Sequence, residues 1–168
     1  GYAVSKVVGI LLPAYVVWIL VSLKLLTFTR EVIVIVTSVL FLVSLLILLR
    51  YLSSFLEILR MKWRIFLIHE SVFLLAFIVF LLFRAYNPDI FWSESSMDFS
   101  FLNVLMRAET LPPPDPWISG FPLNYYYFGH YIVAMLTRLT GIPPHITYNL
   151  AFAFFPALVF VEVFSVLY

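Results

Sequence analysis

The chain has 168 residues, 64% of them hydrophobic and 11% charged, with a mean hydropathy of +1.07. Soluble globular chains run near about 25% charged, so this composition is that of an integral membrane protein. A formal net charge of +1 supplies no basic field for nucleic acid, and the absence of cysteine excludes disulfides and thiolate metal sites.

Residues 7–26 are apolar apart from Ser22 and Lys24 and, as a helix, rise about 30 Å, enough to cross the hydrocarbon core. They are predicted to form the first span, with Pro13 tolerated inside it, since the stretch is longer than a signal-peptide core and no small-residue cleavage site follows. A short turn at 27–31 leads to a second, charge-free span at 32–49. Residues 50–64 set Arg50, Arg60, Lys62 and Arg64 against Glu57, with apolar residues between them at helical spacing. Short basic loops stay inside, so this is an amphipathic segment on the cytoplasmic face. Residues 1–64 thus make a first unit, and 65–168 a second.

The second unit opens with a span at 65–83, whose His69 and Glu70 lie near the basic end. Residues 84–124 hold Asp89, Glu94, Asp98, Glu109 and Asp115 against only Arg84 and Arg107, which places them outside the cytoplasm. A short fourth span is expected at 125–139, ending near Arg138, then a turn at 141–144 and a fifth span at 148–168 containing Pro156 and Glu162. The fold class is therefore all-α: a polytopic helical protein of the cell membrane with about five transmembrane helices. Its N-terminus is cytoplasmic and its extracytoplasmic loop partly helical, although Lys24 and Arg30 at the first outer turn speak mildly against that orientation. The chain opens on Gly1 and stops inside an apolar run, so the remainder of a longer polypeptide is expected as a partner.

The stretch from Glu94 to His130 is the part that crossing a bilayer does not explain. Residues 97–109 lack Gly and Pro and place Phe101, Leu105 and Ala108 on one stripe, the pattern of a short helix along the membrane surface. Extended back to Glu94, that helix makes Glu94 and Asp98 i, i+4 neighbours and brings Glu109 to nearly the same face. Such an acidic side either shows polar groups to water, or lets Asp98, with Glu94 behind it, ligate a hard divalent cation such as Mg or Mn or act as a general base on a hydroxyl. Residues 111–117, LPPPDPW, form a polyproline strap that fixes Asp115 and Trp117, and Gly120 and Pro122 turn the chain back. Tyr125 to Tyr127 then open the fourth span. Tyr125 suits an interfacial belt, whereas Tyr126 and Tyr127, four and three residues before His130, would cluster with it on a helix.

The run PPPDPW followed by NYYYFGH, with the later pair Tyr148 and Asn149, resembles the uncharacterised YYY-type polytopic membrane proteins over about residues 80–149. More distantly it is similar to GT-C glycosyltransferases, which use a polyprenyl-phosphate-linked sugar donor. That resemblance implies the N-terminal part of a GT-C-like fold, with the core starting at residue 65 and Asp98 in the catalytic or metal-assisting role. GT-C loops often carry adjacent acids, whereas Phe99 follows Asp98 here, so Glu94 would be the second acid. Arg107 or His130 would stabilise the departing phosphate, and Asp115, Trp117, Tyr126 and Tyr127 would surround the substrate. Transfer at the outer face is the leading functional expectation. The alternatives are a transporter or channel component relaying through His69, Glu70 and Glu162, or a non-catalytic membrane scaffold.

Overall fold

The computed structural model describes residues 1–167 and forms six helices: α1 (Tyr2–Ser22), α2 (Arg30–Arg50), α3 (Leu52–Tyr86), α4 (Ser95–Arg107), α5 (Phe128–Thr140) and α6 (Pro144–Leu167). Tyr168, the end of the expected fifth span, lies outside the described residues. Among those described there is no strand, only an isolated bridge between Pro114 and Pro122.

Four helices, α1, α2, α3 and α6, are long and apolar enough to cross a membrane. Helix α2 starts at an N-cap, Thr29, whose Oγ1 accepts the Val32 N–H at 3.4 Å. At 35 residues α3 would be about 52 Å long, well beyond the bilayer core. It breaks at Lys62, where φ is −115° and ψ is 16°, so the basic segment after Arg50 is a separate helical piece joined to the span. The first span sits earlier than expected, because residues 23–26 form an exposed turn in which Lys24 takes a φ of 58°.

The expected fourth span at 125–139 is not one. Helix α5 has 13 residues, about 20 Å, too short for the hydrocarbon core. Its start is delayed to Phe128 by the turn of residues 120–127, and Gly141, at a left-handed φ of 73°, ends it ahead of Pro143 and Pro144. Instead of facing lipid all round, it buries Tyr131, Ile132, Ala134, Met135 and Thr137 among its neighbours.

Helices α3 and α6 pack along each other, and α1 joins them at one end, where Tyr2 donates to Glu70 and Lys6 Nζ lies 2.8 Å from Glu70 Oε2. Helices α4 and α5 run parallel: His130 meets Asp98 near their N-termini, and Arg138 meets the carbonyls of Leu105, Met106 and Ala108 near their C-termini. Arg138 also donates to the Phe28 carbonyl, and its guanidinium sits 4.4 Å from the Phe28 ring centroid. One side chain thereby satisfies the carbonyls that the end of α4 leaves open and binds the α1–α2 turn to the same point. Tyr131, fully buried, donates to the Ala14 carbonyl at 2.9 Å, which seats α5 against α1.

The proline segment is not an extended strap. The Asp115 N–H donates to Phe121 O at 2.9 Å and the Leu123 N–H to Pro113 O at 2.8 Å, pinching residues 113–123 into a loop that Gly120 turns at a φ of 86°. Prolines remove donors but leave carbonyls free to accept, which is how Pro113 takes part.

Candidate functional site

Helices α4, α5 and α6 line an open cavity of about 650 Å³. Asp98, His130, Tyr126 and Tyr148 give it its polar groups, and Leu102, Val133, Ala151, Phe152 and Phe155 are among its apolar walls. Asp98 stands in the first turn of α4 and His130 at the third residue of α5. Because the two helices are parallel, their first turns lie side by side and His130 Nε2 comes to 3.2 Å from Asp98 Oδ1. Both side chains remain partly open, at 28% for Asp98 and 23% for His130. The edge of Phe101 packs on the imidazole at 5.4 Å between centroids, and among the described residues the buried Nδ1 has no hydrogen-bond partner. Phe128, Gly129 and His130, the first turn of α5, line the same cavity, and no side chain caps that helix start.

The aromatic cluster expected around His130 is divided. Tyr125 to Tyr127 precede the helix rather than opening it, so i−3 and i−4 spacing does not apply. Tyr126 lines the cavity and stacks on Tyr125 at 4.0 Å between centroids, with their hydroxyls 2.8 Å apart. That hydrogen bond, with burial and the nearby Tyr126, Glu94 and Asp98, pushes the Tyr125 phenol up to about 12. Tyr127 turns away to α1, where its hydroxyl accepts from Trp18 Nε1 at 3.2 Å.

The other expected residues fall in different places. Glu94 is the N-cap of α4, one turn before Asp98, whose N–H donates to the Glu94 carbonyl at 2.9 Å. Glu109 does not share the acidic face, because α4 ends at Arg107 and the Glu109 carbonyl accepts from the Phe28 N–H at 2.8 Å. Arg107 is exposed in the last turn of α4, about 14 Å along the axis from Asp98, which separates it from the cavity's polar end. Asp115 Oδ1 accepts the N–H groups of Trp117 and Ile118 at 2.8 and 3.0 Å, a turn role. Trp117 packs edge-on against Phe101 at 5.3 Å between centroids, one ring removed from His130.

Sequence reasoning left out Arg84, Tyr148 and Asn149 as site residues, although the Tyr148–Asn149 pair was visible. Arg84 Nε donates to Asn149 Oδ1 at 2.6 Å, and its guanidinium lies 5.1 Å from the Phe152 ring and 6.0 Å from the Tyr148 ring, both cavity walls. Tyr148 donates to the Ser95 carbonyl at 3.3 Å, tying α6 to the turn that carries Asp98. The groups considered for a relay are dispersed: Glu70 is held by Tyr2 and Lys6, His69 Nδ1 lies 2.7 Å from the Ile65 carbonyl, and Glu162 lines another cavity.

Among the described residues no three His, Asp or Glu side chains gather to hold a metal ion.

Four helices long and apolar enough to cross a membrane, with two shorter helices packed against them, define a polytopic helical membrane protein. The family model described as "Uncharacterized membrane protein (DUF2298)" matches residues 12–168, and the chain belongs to that family. No curated protein and no solved structure gives a significant match.

Proposed function

We propose that this chain carries the catalytic head of a membrane-embedded glycosyltransferase, acting at the outer face on a sugar linked to a polyprenyl phosphate. The observation that supports it is the Asp98–His130 pair at the polar end of a largely apolar cavity of about 650 Å³. Apolar walls suit a donor delivered from lipid, and a partly open carboxylate suits proton acceptance. In the proposed step the acceptor hydroxyl gives its proton to Asp98. Its oxygen bonds to the anomeric carbon, and the carbon–oxygen bond to the lipid phosphate breaks, the phosphate leaving with the bonding electrons. His130 orients the carboxylate. The uncapped start of α5, with the Arg84 charge behind Tyr148 and Phe152, favours the departing anion.

The test is Asp98→Asn in the full-length protein, assayed in membranes supplied with a polyprenyl-phosphate-linked sugar. Removing a general base costs about 10²–10⁴-fold, so transfer is expected to fall by that much at unchanged expression. Normal transfer by this variant would remove the assignment.

A further inference from the structure

A second cavity, of about 490 Å³, lies between α1, α5 and α6 and is lined by Val7, Ile10, Leu11, Ile132 and Leu158, among others, with Glu162 its one ionisable group. Gly129 and Phe155 line both cavities, so the two adjoin at this pair. Gly129 sits inside α5 without a left-handed φ, and a Cβ built there would meet nothing within 4 Å. Neither a turn nor a close approach within the chain requires glycine at this position. In a helix glycine is disfavoured against alanine because it gives up more backbone freedom. What its absent side chain leaves is open space at the junction of a polar-ended cavity and an apolar one.

We propose that Gly129 is the passage through which a single isoprenoid chain runs from the first cavity into the second, so that the α1–α5–α6 crevice is the tail site of the lipid phosphate. This rests on the lipid-linked donor of the preceding reading and assigns its hydrocarbon part. Head and tail chemistry separate along the path. Asp98, His130, Tyr126 and Tyr148 stand at one end, and beyond Gly129 the walls are aliphatic or aromatic up to Glu162, whose Oε1 is buried without a hydrogen-bond partner among the described residues. The linings of the two cavities share one glycine and one phenylalanine, a short junction that suits one chain in single file rather than the paired chains of a phospholipid.

The experiment uses the full-length protein in phosphatidylcholine nanodiscs and, as probe, an isoprenyl phosphate with a diazirine near the tail end. Photolabelling is expected on α1 around residues 7–11 and on α6 around 155–163. Gly129→Leu should lower it at least tenfold, while Gly129→Ala keeps at least half. Should Gly129→Leu fail to fold, Ile10→Trp, which narrows the crevice from α1, should give the same loss. Unchanged labelling in a folded blocking variant overturns the proposal, as does equal displacement of the probe by a two-chain phosphatidic acid. The enzyme reading fails separately. Gly129-dependent labelling without sugar transfer in the wild type leaves the tail site standing and removes the enzyme, whereas normal transfer by Gly129→Leu removes the tail site alone.

Discussion

Helices α2 and α5 are both apolar, yet they meet opposite surroundings. Across its 21 residues α2 buries only Ile33, whereas α5 buries five of its 13. In water this difference would be paradoxical, because the more hydrophobic segment would be the more buried. In a bilayer lipid solvates α2 directly, so its side chains gain nothing from protein contact. What draws α5 inward is polar: the Tyr131 hydroxyl needs the Ala14 carbonyl, and Arg138 serves four carbonyls from the α1–α2 turn and the end of α4. Hydropathy reports which segments tolerate lipid; hydrogen-bonding demand decides which become the protein's interior.

The most severe test of this contrast is Arg138→Met, which keeps an unbranched stem but leaves those carbonyls without their donor. Hydrogen bonds to a charged group contribute about 1.5–3 kcal/mol each, so a net loss of about 3 kcal/mol or more is expected. It should appear as a lowered unfolding midpoint in detergent, with the Asp98–His130 pair disturbed because α4 and α5 lose their registration. A loss under about 1 kcal/mol would break the comparison. On the lipid-facing side, Leu46→Ala in α2, at a residue 67% exposed, should change stability by no more than about 0.5 kcal/mol. A larger cost there would mean that another protein surface covers α2. The smallest effect concerns the entrance to the cavity. Tyr126→Phe removes the hydroxyl that holds the Tyr125 phenol up to about 12, so Tyr125 should titrate closer to its ordinary value of 10.0. Absorbance difference titration of the variant against the wild type measures this; because the paired phenol is held protonated, the wild type should ionise later as pH rises.

Much of the fold was legible because long apolar runs admit few interpretations. The second span at 32–49 lies inside α2, and the third at 65–83 lies inside α3. The short helix after Glu94 was also legible as a helix, although the Phe101–Leu105 stripe expected along a membrane surface is buried within the protein. The fate of 125–139 was not. Its apolar composition matches a span, but its length is set by residues that pinch the chain on either side, and Gly141 and the 113–123 loop act through backbone geometry that hydropathy does not weigh.

For the candidate site, sequence alone placed Asp98 and His130 in one site with Tyr126, which lines their cavity, but it also drew in Tyr127, which turns to Trp18, and Glu109, which lies beyond the end of α4. Helical spacing joined His130 to Tyr126 and Tyr127 and joined Asp98 to Glu109, since periodicity relates only residues on one element. The contact between Asp98 and His130 spans 32 positions and depends on two helices lying parallel, which no local pattern encodes. The inclusion of Arg84 and Tyr148 likewise required knowing that α3 and α6 meet beside α4.

What the sequence by itself determined is a helical membrane protein with one polar, aromatic segment that lipid crossing does not account for. That follows from transfer free energies, which are summed residue by residue along the chain. Only the tertiary structure decided that α5 stops short of spanning, that Asp98 faces His130, and that Gly129 stands where two cavities meet. Each depends on how separate helices satisfy one another's polar groups, and hydrogen bonds across elements are set by distance in space rather than by position in the chain.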